Sequence, residues 1–141
     1  MGAEAARLRR LQRLEKVRAI AKQTAAREAA EAEGTLTQLM ALAERTAKMA
    51  AAYRAEAGPA LAHELQQLGR FSAGLRGISE ATNSDAERAR SFADRKQQVL
   101  AQAERARSAV EDRAAAEARS LAQRRQQLVL GGRRAVGTGL E

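Results

Sequence analysis

One proline in 141 residues, Pro59 beside Gly58, separates two long stretches in which little else stops a helix. Proline lacks the amide hydrogen that a helix interior needs, and it disfavours a helical conformation in the residue before it. Both stretches are built mainly of Ala, Arg, Glu, Gln, Leu and Lys, which stand at the top of the helix scale. From Ala3 to Ala57 only Gly34 interrupts. The pattern predicts a helix over 3–57, a tight turn at 58–59 and a second helix over 60–130. Two other readings stay open. Pro59 is alternatively a kink in one continuous rod. The second helix alternatively breaks, or the hairpin turns, near 81–84, where Ser84 followed by Glu87 forms a capping box after Gly69, Gly74 and Gly77.

The apolar residues limit what these helices can build. Thirty-five of them are alanine, against one Tyr, two Phe and no Trp. A buried Leu or Phe contributes roughly 1.5–3 kcal/mol, and alanine buries far less area. A core several layers thick is therefore excluded, and the composition is that of long helices or coiled coil. At ~1.5 Å per residue the first segment would be a rod of about 80 Å, which needs a partner helix to be stable. The expected fold is all-α: a long two-helix antiparallel coiled-coil hairpin, one domain over 1–130. The glycine-rich basic segment 131–141, "GGRRAVGTGLE", reads as a disordered tail.

Heptad spacing supplies the seam. With Leu11 in the first core position, the first helix presents Leu11, Leu14, Arg18, Ala21, Ala25, Glu28, Ala32, Thr35, Leu39, Leu42, Thr46, Met49 and Tyr53. From Leu61 the second presents Leu65, Leu68, Ser72, Leu75, Ser79, Thr82, Ala86, Ala89, Ala93 and Lys96, and the series continues through Leu100, Val110, Ala114 and Leu121 to Leu128. Phe71, Ile78, Phe92 and Val99 form a stripe beside that seam, wider than a two-stranded contact needs. A turn at 58 makes residues i and 117−i neighbours. Leu42 then lies level with Leu75, Leu39 with Ile78, Thr46 with Phe71, and Leu11 with Ala106.

Few kinds of chemistry fit such a chain. There is no cysteine and one histidine, His63, so no thiolate site and no histidine cluster is expected, and no cofactor. No apolar run approaches the ~20 residues of a membrane span. Carboxylates alternate with arginines at helix-surface spacings, as in Glu104, Arg107 and Glu111, and no nucleophile–base pair stands out. The expectation is a cytoplasmic protein that is not an enzyme.

Charge is the strongest remaining signal. The formal net charge is +8. Arg7, Arg9, Arg10, Arg13, Lys16 and Arg18 crowd the start of the first helix, and Arg119, Arg124, Arg125, Arg133 and Arg134 lie near the other terminus. An antiparallel hairpin joins these groups into one basic tip, suited to an acidic protein surface, nucleic acid or anionic lipid.

A basic two-helix hairpin of this length resembles the flagellar export protein FliJ family, stalk-like components of the bacterial flagellar type III export apparatus. Leu42, Thr46, Met49 and Tyr53, followed by Arg54, are similar to the family's first-helix pattern. Phe71, Leu75, Ile78 and Thr82 are similar to its second-helix pattern. The resemblance implies that these eight residues contact the cytoplasmic domain of the export gate. It also implies a fold like the coiled-coil stalk of the rotary ATP synthase γ subunit, with the termini inside the export ATPase ring. The basic tip of Arg7, Arg9, Arg10, Arg13, Lys16, Arg18, Arg119, Arg124 and Arg125 suits that position. Implied further are a role in handling export chaperones and substrates, and a location at the flagellar base, peripheral to the inner membrane. The alternatives are a basic structural coiled coil and a nucleic-acid-binding helical protein. The second predicts steep salt dependence, but the chain carries no interleaved aromatics or reading motif.

Overall fold

The computed structural model describes residues 2–55 and 62–137, all of them helical: α1, Gly2–Ala55, and α2, Ala62–Gly137. The two helices pack against each other as an antiparallel hairpin. The turn expected at 58–59 lies outside the described residues. α2 runs through 81–84 without a break. Its inward positions Ser79, Thr82, Ala86 and Ala89 continue the 3–4 spacing across that point, so packing against α1 overrides the local capping signal of Ser84. The helix runs on to Gly137, into the segment expected as a tail. No proline or positive-φ residue stands in that stretch to end it.

The hairpin divides into two compact units: Ala26–Val99, and Met1–Ala25 with Leu100–Glu141. In the first, α1 buries Ala29, Ala32, Leu36, Ala43, Thr46 and Ala50, with Leu39 and Tyr53 half-buried. α2 buries Ser72, Ser79, Thr82, Ala86 and Ala93, with Leu68, Leu75 and Ala89 half-buried. Ala32, Leu36, Ala86 and Ala93 form one cluster, joined by Leu39 and Ala89. In the second unit the buried residues include Ala25, Val110, Ala114 and Leu121, with Leu8, Leu11, Glu15 and Ala19 half-buried.

These inward sets are small residues, and that sets the geometry of the Ala26–Val99 unit. Ser79 Oγ donates to the Ala43 carbonyl and Ser72 Oγ to the Ala50 carbonyl, each at 3.4 Å and each across the helix pair. A serine hydroxyl reaches a neighbouring helix's backbone only when the two axes lie close, which alanine opposite serine permits. The buried Thr46 and Thr82 instead donate to their own helices, to the Leu42 carbonyl at 2.7 Å and the Ile78 carbonyl at 2.8 Å. Each buried hydroxyl is thus satisfied, as burial requires.

The α2 seam matches the heptad expected from sequence from Leu68 to Leu121, while Leu65, Arg124 and Leu128 are exposed. On α1 only half of the expected series turns inward: Leu11, Ala25, Ala32, Leu39, Thr46 and Tyr53. Leu14, Arg18, Ala21, Thr35, Leu42 and Met49 are exposed, and Glu28 is only half-buried. Their places are taken by Ala29, Leu36, Ala43 and Ala50. Close backbones opposite Ser72 and Ser79 leave room for alanine there and not for leucine or methionine. The register also differs from the expected 117−i. Ala43 pairs with Ser79 and Ala50 with Ser72, about five residues along, and Arg7 lies beside Glu117 rather than near residue 110. Matching small residues across the seam decides the alignment, not symmetry about the proline.

Candidate functional site

In the Ala26–Val99 unit, the residue preceding each paired seam position is large and apolar: Leu42 before Ala43, Met49 before Ala50, Phe71 before Ser72, Ile78 before Ser79. In an antiparallel pair, the residues just before the seam positions of both helices lie on the same side of the seam. Leu42 and Ile78 therefore flank one level, and Met49 and Phe71 the next. All four are exposed, Phe71 by 49% and Ile78 by 55%. Tyr53, half-buried, meets Phe71 edge-on with ring centroids 4.8 Å apart. Here the structure brings together the larger members of the sequence-predicted gate surface.

The other members of that surface fall elsewhere. Thr46 and Thr82 are buried, with hydroxyls already bonded within their own helices, and Leu75 is half-buried in the seam. These three hold the helices together and have little or no surface for a partner. Their places in the heptad series had pointed all three at the facing helix, against the contact role that the resemblance implied.

On the same side the apolar stripe continues along α2 with Phe92 and Val99. Lys96 Nζ lies 5.3 Å and the Arg95 guanidinium 5.8 Å from the Phe92 ring centroid, within cation–π range. Lys96 also pairs with Glu28 of α1 at 3.0 Å. On the opposite side of the seam lie Met40 and Arg90, 3.8 Å apart.

The basic residues gather in the other unit. Arg7 pairs with Glu117 at 3.8 Å and Arg124 with Glu4, which makes the N-terminal arginines neighbours of the 117–124 segment. Arg9 donates to the Ala5 carbonyl. Among the described residues Arg10, Arg13, Lys16, Arg18, Arg119 and Arg125 are exposed and form no salt bridge. Met1–Ala25 with Leu100–Glu141 carries fifteen Lys and Arg against seven Asp and Glu, the whole net charge of +8. Ala26–Val99 carries ten of each and is neutral. The basic tip was expected from sequence, whereas the neutrality of Ala26–Val99 was not, because it depends on which parts of the two helices form each unit.

Among the described residues no three His, Asp or Glu side chains converge as a metal site, and no helix is long and apolar enough to cross a membrane. Compared with family models, curated proteins and solved structures, the chain matches none of them.

Proposed function

We propose that this chain is a non-enzymatic stalk and adaptor of a bacterial flagellar type III export apparatus. In this reading the basic unit engages the export ATPase ring. The neutral unit presents Leu42, Met49, Phe71 and Ile78 to the cytoplasmic domain of the export gate. Export chaperones are further partners, and the site of action is the cytoplasmic face of the inner membrane at the flagellar base. The observation that carries the reading is the division of labour in charge: +8 in one unit, zero in the unit that exposes the apolar face. Two surfaces of different chemistry suit a protein that joins two different partners.

The test uses two variants of the full chain. Arg9→Glu with Arg10→Glu and Arg13→Glu is expected to weaken co-sedimentation with the ATPase ring and leave gate binding intact. Phe71→Ala with Ile78→Ala is expected to do the reverse. If both variants lose both partners, or neither is affected, the two-surface reading is wrong. Binding to duplex DNA at physiological salt, with log K falling by about 0.9 per phosphate contacted, would instead assign the basic unit to nucleic acid.

A further inference from the structure

The outer face of α2 carries a second stripe at alternating spacings of four and three, separate from the seam: Gly74, Ile78, Ala81, Asp85, Arg88, Phe92, Arg95, Val99. Every one of these residues is exposed. Gly74 leaves open space on this face, since a Cβ there would meet nothing within 4 Å, as at every described glycine of the chain.

Laid antiparallel against its own copy, with the two-fold axis between Asp85 and Arg88, this stripe complements itself. Within each chain Arg88 Nη2 already pairs with Asp85 Oδ1 at 2.8 Å, so at the axis the two exposed pairs meet as one alternating cluster in which Asp85 of one copy faces Arg88 of the other, twice. Phe92 faces Ala81 and Val99 faces Gly74, large against small at both ends, and Ile78 faces the aliphatic stem of Arg95. Two alternative alignments lack this match. A parallel pair sets Asp85 on Asp85 and Arg88 on Arg88, and an antiparallel pair centred on Asp85 also opposes the two carboxylates. Like charges placed opposite each other repel and disfavour both. We infer that a second copy of this chain docks on this face, forming an antiparallel two-fold dimer through α2.

The area indicates how strong that dimer is. A half-exposed phenylalanine offers roughly 100 Å². Phe92, Ile78 and Val99 together then bury roughly 600 Å² over both copies, before the arginine stems are counted. That is below the ~1,200 Å² of a stable interface. An interface of this size is that of a transient dimer, which forms and dissociates readily. Because Ile78 belongs to both faces, self-association competes with other occupants of the Phe71–Ile78 surface. The inference does not rest on the export reading.

Sedimentation equilibrium over a range from a few to several hundred micromolar tests it, with helicity followed by circular dichroism. The wild-type mass is expected to rise from the monomer's 15.2 kDa towards twice that value. Asp85→Arg alone and Arg88→Asp alone are each expected to raise the dissociation constant about ten-fold or more. The double variant Asp85→Arg with Arg88→Asp restores opposite charges across the axis and is expected to recover it to within about three-fold. A wild-type chain that stays monomeric throughout overturns the inference and leaves the face to a different partner. A double variant no better than the singles overturns it as well.

Discussion

The Ser79 hydroxyl donates to the carbonyl oxygen of Ala43 on the facing helix, at 3.4 Å. The contact requires the two backbones to lie close, and the seam around it follows from that spacing. Ala43, buried against that hydroxyl, has little room to grow. Ala43→Leu is expected to destabilise by about 1–3 kcal/mol, the usual range for overpacking. Leu42→Ala, one position away on the exposed side, is expected to cost less than about 1 kcal/mol. Chemical denaturation of both variants checks the contrast; equal costs would mean that Leu42 and not Ala43 faces α2.

Phe71 is half-exposed but touches Tyr53 edge-on. Phe71→Ala is therefore expected to cost about 1 kcal/mol, well below the ~3–5 kcal/mol of a fully buried phenylalanine. A double-mutant cycle with Tyr53→Ala is expected to give a coupling of about 0.5–1.5 kcal/mol. No measurable coupling would show that the rings do not meet in solution.

Arg107 sits at an inward position of α2, where its Nη2 pairs with Glu111 at 3.0 Å while its buried Nε has no partner. A buried unmet donor costs about 1–3 kcal/mol, and a helical ion pair of this exposure returns only about 0.3–0.5 kcal/mol. Arg107→Leu is thus expected to raise the thermal midpoint. A fall in the midpoint would mean that the Nε is hydrated or bonded.

Lys96 holds Glu28 across the helix pair and lies over the Phe92 ring. Both partners are partly exposed, so Glu28→Gln is expected to cost under about 1 kcal/mol in dilute buffer. At 1 M salt, with a Debye length of about 3 Å, the difference should largely vanish. A cost that persists unchanged in high salt would point to packing rather than charge.

The α2 seam was legible because its residues repeat at 3–4 spacing without a competing choice: Ser72, Leu75, Ser79, Thr82, Ala86. On α1 two phases compete. Leu42 and Met49 are more hydrophobic than Ala43 and Ala50, so hydrophobicity alone turns the wrong side inward. The alanines are buried because the facing helix presents serines, and that is a property of the pair rather than of either segment. The same ambiguity put Leu42 and Met49 in the expected seam, whereas the structure leaves both exposed.

What the sequence by itself determined is that the chain is built of long helices, as the described residues are. Strong helix formers on both sides of Gly58-Pro59 and an alanine-rich apolar set call for long helices that need a partner helix, and leave open where the chain turns. Tertiary structure alone decided the register, the helical phase of α1, the unbroken course of α2 through Ser84, and the separation of a +8 unit from a neutral one. Helix propensity acts within a few residues and is readable along the chain. Register depends on which small side chains meet across the seam, between residues such as Ala43 and Ser79 that stand 36 positions apart.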